Sequence, residues 1–370
     1  MRLLHLSDTH LGFSNFQRLD PVESINQREA DFYDAFRQAV DIAVNSRPDV
    51  VVHAGDLFDT VRPQNRAITF ALGQIRRLSE AGIETVLISG NHSTPKTRES
   101  GTIFRIFEHL PHIHPVHEPG VSKVVIGDLT VHAVPHSVTP PLQEVVADAA
   151  PSKATGRNVL VLHAGILDSK AFRMDEFNEQ NIPGSVVSKD FDYVALGHFH
   201  NHEEVRRDMR YSGSTERLGF GEMDQAKGVV EIELDTGKHR FHELRIRGMK
   251  ELEPILASKL TASEILAEAR ARISAADIDD LIVRMAIKDI SREAHRSLEL
   301  PAIRKLAANA MHFEPVITRL EEEGRPSAGD TRIGSLEHEY QLYVSSRDYS
   351  QEKKDRLMAT GLPYFAEGDE

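Results

Sequence analysis

The chain has 370 residues, 40% of them hydrophobic, no cysteine, and a formal net charge of −13. That length suits one large domain and a smaller one, and the lack of cysteine excludes disulfides, thiolate metal ligands and a cysteine nucleophile. The acidic balance argues against a stand-alone nucleic-acid-binding module, whose affinity comes mostly from cations on phosphate. Two considerations weigh the other way: carboxylates gathered around divalent metals are not a repulsive surface once the ions are in, and a partner subunit can carry the basic face. No apolar run is long enough to cross a bilayer. The N-terminus enters a strand at Arg2-Leu3-Leu4-His5-Leu6 with no signal-peptide pattern, so a cytoplasmic location is the default expectation.

Over residues 1–250 strands and helices alternate. Leu3–Ser7, Val50–Ala54, Thr85–Ser89, Val159–His163 and Tyr193–Gly197 are short apolar runs bounded by turn residues, the pattern of buried strands. Ile25, Phe32, Phe36, Val40 and Val44 predict an amphipathic helix between the first two runs. Ile68, Leu72, Ile75 and Leu78 predict another, closed by Gly82, and Ile103, Phe107 and Leu110 suggest a third. Val124–Val134 and Gly228–Ile246 read as antiparallel hairpins turning at Gly127-Asp128 and Asp235-Thr236-Gly237. The mix fits an α/β core with two sheets and outer helices.

Near residue 250 the pattern changes to a small α+β unit. Thr261 and Glu264 form a capping-box spacing ahead of a helix with Ile265, Leu266, Ala269 and Ile273. Leu281–Ile287 follows as a strand, Pro301 opens a second helix through Ile303, Leu306 and Ala310, and Val316–Leu320 is another strand. Residues 323–333 read as a linker. The tail is helical in two pieces, with Leu336, Tyr340 and Tyr343, then Leu357 and Met358 before Gly361. So short a tail buries little by itself, and either docks back or binds a partner.

The chemistry lies at the strand ends. Asp8 and His10 follow the first strand, and alternation points both side chains the same way. Asp56 ends the second strand, Asn91 the third, His163 the fourth, and His198 and His200 the fifth. Ligands of α/β sheets collect at the carboxyl ends of strands. In a chain with 19 histidines, Asp8-x-His10 alone is an expected coincidence. Gly55-Asp56-x-x-Asp59 followed, after one strand–helix–strand unit, by Gly90-Asn91-His92 is not. Carboxylate, imidazole and amide oxygen without thiolate suit manganese, iron or zinc. Asp56 can bridge two ions, with Asp8, His10, Asp56 and His200 on one and Asp56, Asn91, His163 and His198 on the other. Ions roughly 3.5–4 Å apart can activate a bridging water against a phosphoester. His92 follows a ligand and is placed either to stabilise the transition state or to protonate the leaving oxygen; Asp59 could orient and charge its imidazole. Elsewhere the bland reading holds: His53 is a strand-interior residue, His112, His114 and His117 a solvated loop, and His202 either rim or exposed surface.

These residues resemble the calcineurin-like metallophosphoesterase superfamily, an α/β/β/α sandwich. His5-Leu-Ser-Asp-Thr-His-Leu-Gly12, Ala54-Gly-Asp-Leu-Phe-Asp-Thr-Val-Arg-Pro63, Tyr193-Val-Ala-Leu-Gly-His-Phe-His200 and Tyr211-Ser-Gly-Ser-Thr-Glu-Arg217 with Phe220 and Glu222 are similar to the SbcD-type DNA repair nucleases. The motif match covers about residues 1–222. The resemblance implies a nuclease domain over 1–250, a DNA-contacting capping domain over 251–322, and a linker with ATPase-docking helices over 323–370. It implies manganese-dependent double-strand exonuclease and single-strand endonuclease activity. It also implies a homodimer that holds DNA ends and works with an SbcC-like coiled-coil ATPase. Ser93 departs from the pattern, since superfamily members often carry an acidic residue there; that residue is not a required ligand. Lys96 and Arg98, like Arg62 and Arg217, either touch DNA phosphate or are ordinary surface residues, and Arg217 has Glu216 and Glu222 as local partners. A small-molecule or cyclic-nucleotide phosphodiesterase, or a non-catalytic scaffold, is the alternative on the same fold.

Overall fold

The computed structural model describes residues 1–94, 101–167, 169, 180–320, 340–341, 343–345, 347 and 349–362. Lys96 and Arg98, the linker at 323–333 and Leu336 therefore lie outside the described residues. The chain divides into two compact units, one of Met1–Leu252, Ala275–Arg284 and Arg304–Glu314, the other of Glu253–Ser274, Met285–Ile303 and Pro315–Glu370.

The first unit opens with β1 (Arg2–Leu6), α1 (Gln27–Ser46), β2 (Val50–His53), α2 (Asn65–Glu80), β3 (Glu84–Ile88) and β4 (Ile113–Val116). It continues with β5 (Ser122–Ile126), β6 (Leu129–Val134), α3 (Leu142–Ala147), β7 (Arg157–His163), β8 (Gly165–Ile166), β9 (Asn181–Ile182) and β10 (Tyr193–Gly197). Then come β11 (Glu203–Arg206), β12 (Met209–Tyr211), β13 (Gly228–Glu233) and β14 (Lys238–Glu243). One six-stranded sheet runs β14-β13-β1-β2-β3-β4 and a second runs β11-β12-β10-β7-β6-β5. β1 to β4 are mutually parallel, as are β6, β7 and β10. The β5–β6 and β13–β14 pairs are the two antiparallel hairpins.

Period-two alternation decides the layers. Leu3, Val50, Val52, Val86 and Ile88 of the first sheet meet Val131, Ala133, Val159, Val161 and Ala195 of the second in one core. Leu4, Leu6, Val51 and Leu87, on the opposite face, pack beneath Phe36, Val40, Ala71 and Ile75 of α1 and α2. Leu160, Leu162, Val194 and Leu196 do the same beneath α3, Val187 and Phe191. The result is an α/β/β/α sandwich. Asn26 caps α1, its Oδ1 accepting from Arg28 N at 2.9 Å. Gly82, at φ 68°, follows α2 as a left-handed closing residue.

The remaining elements are β15 (Met249–Leu256), α4 (Ala262–Ala275), β16 (Ile282–Ile290), α5 (Arg292–Ser297), α6 (Leu300–Leu306), β17 (His312–Arg319) and α7 (Gln351–Gly361). The strands pair in the order β15-β16-β17. The capping box is formed, with Thr261 N donating to Glu264 Oε2 at 2.8 Å and Glu264 N to Thr261 Oγ1 at 3.3 Å.

Three local expectations need correction. Ile103–Phe107 is a short 3-10 turn rather than a helix, with Phe104 and Phe107 fully buried. His114 lies within β4, and His112 and His114 share the Glu84 carboxylate at 2.7 Å each, so this is a paired strand edge rather than a solvated loop. The Arg217 guanidinium donates to the carbonyls of Gln225 and Arg247 rather than to Glu216 or Glu222. α5, at six residues, is too short to carry a periodic signal in the sequence.

Candidate metal centre

The expected ligands follow the carboxyl ends of β1, β2 and β3 in one sheet and of β7 and β10 in the other. Two glycines show how closely those ends approach. A Cβ on Gly90 would strike the Asp56 carboxylate and amide, and one on Gly197 would strike the Ala54 carbonyl. The backbone is also driven into a costly conformation here. Among the described residues ten non-glycines have positive φ, and four of them are expected ligands: Asp8 at 51°, His10 at 41°, Asp56 at 51° and His198 at 107°. Such conformations cost roughly 1–3 kcal/mol each and persist where the surrounding structure over-determines them.

Main-chain and hydroxyl donors fix the carboxylates. His198 N donates to Asp8 Oδ1 at 3.0 Å and Ser7 Oγ to Asp8 Oδ2 at 2.5 Å, with Ser212 Oγ 2.8 Å from Ser7 Oγ. His92 N donates to Asp56 Oδ1 at 2.9 Å. Tyr211 ties the end of β7 in place: its hydroxyl donates to Ala164 O and accepts from Ile166 N, both at 2.9 Å.

The imidazoles are held from behind. His10 Nδ1 is 3.2 Å from Asp59 Oδ1, and His200 Nδ1 is 2.8 Å from Glu222 Oε1. Both acceptors are carboxylates, so each Nδ1 donates, and in the metal-binding form of the ring each Nε2 offers its lone pair. Those two Nε2 atoms face each other 3.2 Å apart. His163 repeats the pattern: its Nδ1 donates to Ala54 O at 2.8 Å, while its Nε2 meets Asn91 Oδ1 at 2.8 Å and Asp56 Oδ2 at 3.1 Å. Acceptors converging in this way repel one another unless a cation lies between them. Without a metal a proton takes that place on His163. Burial disfavours its charge, but Asp56 outweighs burial and lifts the ring to about 9. Asp56 in turn is held well below the usual carboxylate range by His163, His10 and His92, against the opposing effect of burial. His198 goes the other way, pushed down to about 3 by burial and by His163.

The donor set therefore fits divalent ions. Asp8, His10 and His200 converge within 4.8 Å of one another, as do Asp8, Asp56 and His163. Asn91 joins the second group through His163, and the His198 ring lies 5.3 Å from the His163 ring. Asp59 differs from expectation. Its carboxylate rests on His10, and it is its main-chain carbonyl that accepts from His92 Nδ1, at 2.8 Å. The turn after β2 brings the carboxylate back toward β1, a geometry that the spacing Asp56-x-x-Asp59 does not reveal.

Three contributors were not singled out from sequence. Ser7 and Lys227 carried no signal beyond adjacency, and His136 none. His136 is buried and drawn down to about 4, by burial first and then by His163. Glu222, known only as part of a motif, is the partner of His200. His200 and Lys227 hold it at about 2 despite burial.

Residues 1–202 match the family described as calcineurin-like phosphoesterase. The chain is 31% identical over 275 residues to the DNA double-strand break repair protein Mre11 of Sulfurisphaera tokodaii, covering 71% of this chain and 67% of that protein. It is 33% identical over 205 residues to the protein of the same name from Sulfolobus acidocaldarius, covering 54% of this chain and 50% of that one. Over 374 residues it is 26% identical to the Mre11 of Thermoplasma acidophilum, covering 93% of this chain and 94% of that protein.

Proposed function

The chain belongs to the calcineurin-like phosphoesterase family, in its Mre11-type branch, and we propose that it is a two-metal, manganese-dependent DNA nuclease of double-strand-break repair. The observation that carries this reading is the double convergence of acceptors, His10 and His200 on one side and His163, Asp56 and Asn91 on the other. That arrangement supports two cations side by side. Oxygen and imidazole donors without thiolate suit manganese, iron or zinc, and the resemblance to the SbcD-type nucleases supports manganese among them. When bound, such a pair lowers the pKa of a water and neutralises phosphoryl oxygens.

The protein's own groups supply the rest. Asp8 and Asp56, fixed by main-chain amides, keep the ligand cage in place without substrate. His92, with Nδ1 committed to the Asp59 carbonyl, turns Nε2 toward substrate, where it hydrogen-bonds the phosphoryl group or gives a proton to the leaving oxygen.

DNA as substrate, with double-strand exonuclease and single-strand endonuclease activity, is supported by the names of the relatives. Residues 1–250 form the nuclease domain in this reading, 251–322 cap it and contact DNA, and the protein works as a homodimer. The tail at 323–370 docks a coiled-coil ATPase of the SbcC type. In support, α7 has no fully buried residue, and Tyr340 Oη donates to Leu357 O at 2.7 Å.

The test is hydrolysis of linear duplex DNA against a small aryl phosphodiester in manganese, with Asp56→Asn as control. Manganese-dependent DNA degradation that the control loses is expected. Turnover of the aryl ester alone would assign a small-molecule phosphodiesterase instead.

A further inference from the structure

Lys227 is fully buried and lies 27 positions after His200. It immediately precedes β13, which pairs antiparallel with β1 in the first sheet. Its ammonium donates to the main-chain carbonyl of His200 at 2.8 Å, to Gln225 Oε1 at 2.8 Å and to Glu222 Oε2 at 2.7 Å. His200 follows β10 of the second sheet, and its Nδ1 is 2.8 Å from the other oxygen of the same Glu222. One ammonium thus holds His200 by its backbone directly and by its ring through Glu222. A buried ammonium is costly unless paired and fully hydrogen-bonded. For packing alone an apolar side chain would serve as well.

We infer that Lys227 is a positioning residue of the metal centre. Together with Glu222 it sets His200, delivered by one sheet, against His10, delivered by the other. The pair has no equivalent at His163, whose Nδ1 is held by a main-chain carbonyl. Its effect therefore falls on one of the two ions. This inference rests on the two-metal reading above.

The test is calorimetric titration of Mn2+ into the full chain and into the double variant Lys227→Met/Glu222→Gln, which leaves no unpaired buried charge. Thermal melting without metal controls for folding. The wild-type chain is expected to show two binding steps. The double variant should melt near wild type but bind one ion ~10–100-fold more weakly, the usual cost of removing a partner behind a ligand, with the other step unchanged. Should the double variant fail to fold, Lys227→Met alone, which leaves Glu222 paired with His200 Nδ1, is expected to show the same one-step weakening. Wild-type affinity at both steps, or equal weakening of both, would overturn the positioning role. A wild-type chain that binds fewer than two ions would instead remove the two-metal reading itself.

Discussion

The His92 imidazole and the Asp59 carboxylate have different hydrogen-bond partners. The imidazole is oriented by a main-chain carbonyl, which no substitution at Asp59 removes, while the Asp59 carboxylate stands behind His10. The two side chains should therefore fail in different ways. His92→Ala is expected to keep both metal-binding steps and lose ~10²–10⁴ in kcat, the usual share of a positioned acid–base group. Asp59→Asn should instead weaken metal binding, with kcat largely restored at saturating manganese. Steady-state kinetics across a manganese series separates the two outcomes. An Asp59→Asn variant with normal metal affinity and a depressed kcat would return the carboxylate to His92.

At the scale of elements, the site is a set of strand ends brought within reach of one another, and the glycine before a ligand limits that distance. In Gly197→Ala the new methyl has the Ala54 carbonyl in its way, and that same carbonyl holds His163 Nδ1. Overpacking of this kind costs ~1–3 kcal/mol, so a lower melting temperature together with weaker metal binding is expected. An unchanged melt and titration would show that the strand ends yield freely. The strands were legible because each is a short apolar run, and three of the five stop at a one-dimensional signal, Gly55-Asp56, Gly90-Asn91 or Gly197-His198. The allocation of strands to two sheets was not legible, since it depends on pairings such as β13 beside β1 that join residues more than two hundred positions apart. For the same reason Lys227 went unseen: nothing in Gln-Ala-Lys-Gly-Val-Val marks a lysine that ends beneath His200. The contact of the Asp59 carboxylate with His10 is not legible either, because sequence gives the spacing of a turn but not its direction.

Across the whole molecule, histidines buried as neutral rings govern the response to acid. Burial, ahead of neighbouring charges, pushes both His5 and His53 down to about 3. His5 spans the two sheets, with Nδ1 2.9 Å from Tyr193 Oη and Nε2 3.1 Å from Leu196 O. Between the ordinary histidine value near 6.5 and about 3 the unfolded chain binds protons that the folded chain refuses, so stability falls as pH falls through that window. The loss is on the order of 2 kcal/mol per ring by pH 5. His163 acts in the opposite window: raised to about 9, it adds stability below 6.5 that is lost as pH rises toward 9. Melting temperatures of the metal-free chain should therefore decline from pH 6.5 to 5, and a flat profile would contradict the buried neutral state of these rings. No helix among the described residues is long and apolar enough to cross a membrane. The central claim, that two cations occupy the converging acceptors, is tested most directly by anomalous scattering from crystals soaked in manganese. Two peaks roughly 3.5–4 Å apart are expected, one bound by His10 and His200 and the other by His163 and Asn91, with Asp56 between them. A single peak, or none at these residues, would contradict it.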